Sequence, residues 1–92
     1  MIFTWDPQKA EINLVKHGIS FEEAQMAFYD EKALLIQDPD HSKEEDRFII
    51  FGFSPKLRIL AVCHCYREND NEIRIISARK ATKKETQQYM EE

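Results

Sequence analysis

The chain has 92 residues, 42% of them hydrophobic, so it can bury one small core, and we expect a single domain over residues 1–92. The chain contains only two glycines and three prolines, which argues against a disordered linker, and its two cysteines are too few for a disulfide framework. No apolar run approaches the roughly 18 residues of a membrane span. No signal peptide is predicted, so we expect a cytoplasmic protein. The net charge is −4, which makes any strongly cationic segment an exception to the average.

The first residues predict a short strand and then a helix. Residues 2–5 form the predicted strand. Asp6 then supplies an N-cap, Pro7 occupies the first helical position, and Gly18 ends the helix. The apolar stripe of this helix is predicted to consist of Ala10, Leu14 and Val15.

A second helix follows after a short turn. Ser20 and Glu23 form the predicted capping box at its start. Its apolar positions repeat at helical spacing and are Phe21, Ala24, Ala27 and Phe28. The two helices together predict a helical hairpin.

The second half of the chain has the composition of β-strands. Four strands are predicted, at residues 33–37, 47–54, 57–66 and 72–79. Residues 38–46 form a polar loop, Pro55-Lys56 a hairpin, and residues 68–71 another turn.

A last helix is predicted to begin at a capping box made by Thr82 and Glu85 and to run through Tyr89. The complete order is therefore β-α-α-β-β-β-β-α, without an internal repeat. This order predicts an α+β fold, with a small antiparallel sheet, two N-terminal helices and a C-terminal helix.

Residues 73–84, IRIISARKATKK, contain five cations and no acid. These cations are Arg74, Arg79, Lys80, Lys83 and Lys84. A cationic cluster in an acidic chain is typical of a place where phosphate or carboxylate binds. The alternative is a solvated strand end followed by exposed lysines.

Side-chain alternation divides the last two strands into faces. In the first of them, one face carries Leu60, Val62, His64 and Tyr66, and the other carries Ile59, Ala61, Cys63, Cys65 and Arg67. In the second, one face carries Ile73, Ile75, Ser77 and Arg79, and the other carries Arg74, Ile76 and Ala78. The sequence does not fix whether His64 and Arg79 share a face.

Three stretches of the sequence carry a family resemblance: FTWDPQKAEINLVKHGISFEEA, DHSKEEDRFIIFG and HCYRENDNEIRIISARKATKKE. They resemble the BrnT family of type II toxins, small ribonucleases with a RelE-like fold that are paired with the ribbon-helix-helix antitoxin BrnA. The resemblance covers nearly the whole chain. It implies a RelE-like fold and an endoribonuclease that cleaves mRNA and arrests growth.

RNA can be cleaved without a metal by its own 2′-hydroxyl, if a base, an acid and several cations surround the phosphate. With the resemblance, the residue types imply that His64 is the acid or base and that Arg67 and Arg79 are catalytic. Glu45 is a second candidate for proton transfer. Further RNA-binding candidates are Arg47, Arg74, Lys80, Lys83 and Lys16.

Several candidates have a structural alternative. His64 lies in an apolar run and could be a core histidine bonded to the backbone, and Arg47 follows three acids and could form a salt bridge. His17 is interpreted as structural because a cation complements a helix C-terminus. His41 could act with Glu45 or order the polar loop.

Two single residues and one tripeptide are interpreted as having no part in catalysis. Arg58 is expected to be a solubility charge near a turn, and Trp5 a core residue. The tripeptide 63–65, Cys-His-Cys, is not expected to bind a metal, because neighbouring residues of a strand point to opposite faces. No metal and no cofactor are therefore predicted.

The resemblance also implies a partner. We expect a ribbon-helix-helix antitoxin similar to BrnA, with two toxins on one antitoxin dimer and operator DNA contacted only through the antitoxin. Residues 74–84 and 38–46 are the expected contact segments. The alternative function is a non-catalytic module that binds the antitoxin and modulates its DNA binding.

Overall fold

The structure is a computed structural model that describes residues 1–40 and 46–91. The predicted elements are all present in the predicted order, with a one-turn 3-10 helix, Ala27–Tyr29, added after the second α-helix. The elements are β1 (Ile2–Thr4), α1 (Pro7–His17), α2 (Phe21–Met26), β2 (Leu34–Gln37), β3 (Arg47–Phe53), β4 (Ile59–Arg67), β5 (Glu72–Lys80) and α3 (Lys83–Glu91). None of the helices in the described part of the chain is long and apolar enough to cross a membrane.

The five strands form one sheet in the order β1-β5-β4-β3-β2. The three pairs formed among β2, β3, β4 and β5 are antiparallel, as predicted. The sheet as a whole is mixed, however, because β1 pairs in parallel with β5 at one edge. The sequence pattern identified β1 as a strand but contains no information about the direction in which so distant a segment pairs.

Local signals determine the ends of α1. The Asp6 carboxylate accepts a hydrogen bond from the backbone N–H of Gln8 at 2.9 Å, and Gly18, at φ +70°, adopts the left-handed conformation that ends the helix. Of the predicted apolar stripe, Ala10 packs against the core, whereas the prediction is wrong for Leu14 and Val15, which are 50% and 86% exposed. The buried residue of α1 is Asn13.

Asn13 completes the edge of β5. The parallel pairing with β1 ends at Thr4 opposite Arg74, and beyond it the Asn13 side chain takes the place of a neighbouring strand. Its Nδ2 donates to the carbonyls of Ala78 and Ile19, both at 2.9 Å, and its Oδ1 accepts from the Ala78 N–H at 3.0 Å. One side chain thus satisfies three buried backbone groups.

At the start of α2, Ser20 accepts a hydrogen bond from the backbone N–H of Glu23. The Glu23 carboxylate points inward and accepts from Ser54 and from two nitrogens of Arg58, at 2.5 and 2.7 Å. The Arg58 guanidinium therefore lowers the pKa of Glu23. Arg58 is a structural ion-pair partner, and its interpretation as a solubility charge was wrong.

The main core lies between the sheet and the layer formed by α1, α2 and the 3-10 helix. We call this side of the sheet the helix-covered face. It carries Leu60 and Val62 of β4, and Trp5 packs against it, as predicted. Gly52 lets the 3-10 helix approach closely, because a Cβ there would lie 2.3 Å from the Ala27 carbonyl oxygen.

The pairing of β5 with β4 contains a β-bulge at Ile76. Ile75 is paired with His64, and Ser77 with Cys63, so Ile76 has no partner in the β4–β5 register. The extra residue reverses the alternation of every later side chain in β5. The predicted grouping of Ser77 and Arg79 with Ile73 and Ile75 was therefore wrong.

Candidate active site

Four arginines of three strands lie on the face of the sheet opposite α1 and α2, which we call the arginine face. They are Arg47, Arg67, Arg74 and Arg79. Arg47 and Arg74 both pair with Cys65, so they lie in one row, two strands and about 10 Å apart. Arg67 is two residues beyond Cys65 on the same strand and therefore shares this face.

The bulge at Ile76 brings Arg79 to this face. Arg74 and Arg79 are five residues apart, and in a regular strand they would point to opposite faces. Because Ile76 is an extra residue, Arg79 pairs with Ala61 and points the same way as Arg74. Bulges often redirect a side chain near a functional site, and this one gathers the arginines.

A groove of about 300 Å³ lies in the arginine face. Two of the arginines line it, together with two acids, a thiol and a hydroxyl: Arg47, Arg79, Asp38, Asp40, Cys63 and Ser77. These polar groups come from β3, β4, β5 and the residues after β2. The groove is therefore built on rigid strands, which hold the side chains in a fixed arrangement.

Arg79 is held by α3. Its Nη1 and Nη2 donate to the two carboxylate oxygens of Glu85 at 2.7 and 3.0 Å. Glu85 also closes the predicted capping box, since it accepts from the Thr82 N–H and its own N–H donates to the Thr82 hydroxyl. The carboxylate raises the pKa of Arg79, and the guanidinium lowers the pKa of Glu85. The Glu85 carboxylate thus fixes the orientation of the Arg79 guanidinium through two hydrogen bonds.

Asp38 is buried at the side of the groove, with 5% of its surface exposed. Its backbone N–H donates to the Arg47 carbonyl at 2.8 Å, and its Oδ1 accepts from the Asp40 N–H at 3.0 Å. The Cys63 thiol donates to its Oδ2 at 3.7 Å. Burial, with the nearby Asp38 carboxylate, raises the pKa of Cys63 to about 11, so the thiol stays protonated and unreactive.

His64 lies on the helix-covered face and is completely buried. Its Nδ1 is 3.0 Å from the Val62 carbonyl, which can only accept, so Nδ1 carries the proton and Nε2 accepts from the Tyr66 hydroxyl at 3.2 Å. Burial lowers the pKa of the imidazole. Edge-on contacts with Phe28 and Tyr66 complete its surroundings. This geometry favours the core histidine that the sequence left as an alternative.

The remaining predicted residues lie apart from the groove or outside the described part. Lys16 is exposed on α1, Lys80 pairs with Leu60 and so points toward the helix-covered face, and Lys83 is exposed in the first turn of α3. Glu45 and His41 lie outside the described residues. Their predicted roles stay predictions.

The Cys-His-Cys tripeptide does not converge on one point. Cys63 and Cys65 face the arginines, whereas His64 faces the core. Within residues 1–40 and 46–91, no cluster of three or more His, Cys, Asp or Glu side chains could hold a metal ion.

A comparison of the sequence with family models identifies the family of this chain. A family model described as the ribonuclease toxin BrnT of type II toxin-antitoxin systems matches residues 5–85. The chain belongs to the BrnT family. BrnT proteins are ribonuclease toxins of type II systems, so an antitoxin is the expected partner of this chain.

A solved structure has the same fold. The 1.1 Å crystal structure of the Brucella abortus ribonuclease toxin BrnT matches with a TM-score of 0.67 and 23% identity, over 90% of this chain and 100% of that one. No curated protein matches the sequence. The BrnT fold and family, both predicted from the sequence, are confirmed.

Sequence reasoning missed three polar groups near the arginines: Asp38, Ser77 and Glu85. Asp38 was placed in a polar loop, Ser77 was assigned to the wrong side of β5, and Glu85 was interpreted only as a cap. A signal for Glu85 was present, because it lies six residues after Arg79, across the turn into α3. No comparable signal pointed to the burial of Asp38.

Proposed function

We propose that this BrnT protein is an endoribonuclease that cleaves single-stranded mRNA on the arginine face, without a metal ion. The observation that carries the proposal is the convergence of Arg47, Arg67, Arg74 and Arg79 on one face, which the bulge in β5 makes possible. Guanidinium groups match phosphate oxygens with two parallel hydrogen bonds, which lysine cannot do. Four guanidinium groups on one face could therefore bind the phosphates of an RNA backbone.

In this mechanism the 2′-hydroxyl of the substrate attacks the adjacent phosphorus. Negative charge then accumulates on the phosphate oxygens, and fixed arginines stabilise that charge more in the transition state than in the ground state. The 5′-oxygen leaves with a proton, and the products carry a 2′,3′-cyclic phosphate and a 5′-hydroxyl. DNA lacks the attacking hydroxyl and is not cleaved.

The test uses purified protein and end-labelled RNA in EDTA, with and without ribosomes. We expect cleavage of RNA and not of DNA, with 2′,3′-cyclic phosphate ends. Arg74→Gln should lose most of the activity, whereas Lys9→Gln, exposed on α1 on the other side of the sheet, should retain it. Cleavage that EDTA abolishes and magnesium restores would contradict the mechanism. A chain that cuts nothing and is harmless when expressed alone would support the non-catalytic alternative.

We further propose that the antitoxin is a ribbon-helix-helix protein similar to BrnA, and that two toxins bind one antitoxin dimer in the cytoplasm, where the mRNA is. The cationic residues 74–84 are the proposed contact, covered by acidic or apolar side chains of the antitoxin. Opposite charges at this contact would make association fast and dependent on salt. Co-expression with the adjacent gene, followed by sizing and by binding measurements at two salt concentrations, tests the assembly.

A further inference from the structure

The carboxylate of Asp38 lies in a groove that also presents arginine, thiol and hydroxyl groups and a second, exposed acid, Asp40. It is also near enough to Arg79 to contribute to raising the pKa of that side chain. A carboxylate repels a phosphate, so Asp38 is not a phosphate ligand. Its position therefore needs another explanation.

The position of Asp38 is defined from several sides. The backbone of Asp38 continues the β2–β3 pairing by its bond to Arg47, the Asp40 N–H holds one carboxylate oxygen, and the Cys63 thiol holds the other. Together these contacts hold the carboxylate in one orientation at the side of the groove. A fixed acceptor beside two guanidinium groups is what proton abstraction next to a phosphate requires.

The described residues offer no histidine for this task. His64 is buried on the helix-covered face, and His17 is exposed at the end of α1, on the helix side of the sheet. Asp38 is the buried carboxylate that this part of the chain brings to the groove. A base acting at the arginine face has to reach the same phosphate that the arginines bind.

We propose that Asp38 is the general base of the cleavage reaction, an inference that rests on the function proposed above. Its carboxylate takes the proton of the 2′-hydroxyl as the bond between the 2′-oxygen and phosphorus forms. The bond between phosphorus and the 5′-oxygen breaks, and the 5′-oxygen takes a proton from water. Asp38 then gives its proton to the hydroxide that this water leaves, which restores the carboxylate for the next turnover.

The test separates binding from cleavage in Asp38→Asn. Binding is measured with an RNA that carries 2′-O-methyl groups and cannot be cut, and single-turnover cleavage with the unmodified RNA. We expect the variant to bind as tightly as the wild type or more tightly, because a negative charge has left the groove, and to cleave about 100-fold more slowly or worse. Asp46→Asn is the matched control, since Asp46 is exposed and directly precedes Arg47. It should cleave at the wild-type rate.

A substrate with sulfur in place of the 5′-oxygen distinguishes a base from an acid. Sulfur leaves without protonation, so this substrate restores the rate of a variant that lacks its acid and not of one that lacks its base. Restored cleavage by Asp38→Asn would overturn the proposal, as would an undiminished rate on ordinary RNA or a parallel loss of binding.

The two proposals fail in different ways. A wild-type chain that cuts no RNA overturns the proposed function and this inference with it. A wild-type chain that cuts RNA while Asp38→Asn cuts equally fast overturns only the inference. If the Asn variant does not fold, Asp38→Ser provides the same comparison, because its hydroxyl can accept the hydrogen bond from the Asp40 N–H.

Discussion

Asn13 offers a sharp test of how the edge of β5 is held. In Asn13→Leu, a side chain of similar size replaces the amide, and three buried backbone groups lose their partner: the N–H and carbonyl of Ala78 and the carbonyl of Ile19. Each lost hydrogen bond with a buried group costs about 1 kcal/mol, so the free energy of unfolding should fall by about 3 kcal/mol. In a chain of this length, that lowers the melting temperature by roughly 12–24 °C.

Urea denaturation followed by circular dichroism measures this loss. Glu11→Leu is the matched control, because Glu11 is exposed on the same helix and receives the same new residue. We expect the control to change the unfolding free energy by less than about 0.5 kcal/mol. A loss below about 1 kcal/mol in Asn13→Leu, or a loss equal to that of the control, would refute the bonding role.

Three further outcomes are expected. Arg58→Ala should lower the unfolding free energy by about 3 kcal/mol, because the buried Glu23 carboxylate loses its ion-pair partner. The double variant that also carries Glu23→Gln should recover part of that loss in the same urea measurement. Lowering the pH from 7.5 to 5.5 should lower the melting temperature, because burial lowers the pKa of His64 in the folded chain and the unfolded chain therefore takes up the proton first. The melting temperature of His64→Gln should depend less on pH. An unchanged pH dependence in that variant would exclude His64 as its source. Glu85→Gln should tighten RNA binding in fluorescence anisotropy by releasing the Arg79 fork, and an unchanged affinity would show that the pair does not compete with phosphate.

The order and the ends of the elements were predictable because their signals are local. Asp6 before Pro7, Gly18 in the left-handed conformation, and the box made by Thr82 and Glu85 each act within a few residues of the end that they determine. The direction of β1 was not predictable in this way. Its partner, β5, lies about 70 residues further along the chain. The sequence of neither strand alone indicates that the two pair or in which direction.

Part of the family signature proved to be structural. Asn13 and Glu23 belong to the opening stretch that carried the resemblance, and both are buried polar groups that hold the fold together. Sequence reasoning had interpreted Glu23 as a helix cap and had given Asn13 no role. Buried polar residues are difficult to predict because the sequence does not reveal which distant backbone group or charge will satisfy them.

The face assignments failed at Ile76, and this failure affects the candidate site directly. Neither glycine nor proline marks the bulge, since residues 75–77 are Ile-Ile-Ser and are compatible with a regular strand. Alternation counted from Ile73 therefore predicts the wrong side for Ser77 and Arg79. The register belongs to the β4–β5 pair, so it can be read only when both strands are seen together.

The arginine face also explains how an acidic chain can bind RNA. The net charge is −4, and acids stand directly beside two of the arginines in the sequence, with Asp46 before Arg47 and Glu68 after Arg67. A strong long-range field that attracts RNA from solution is therefore not expected, since neighbouring opposite charges cancel at a distance. At short range a guanidinium group can still donate two parallel hydrogen bonds to one phosphate. Recognition in this protein then depends on the geometry of the strands that hold the arginines, and the bulge at Ile76 is part of that geometry.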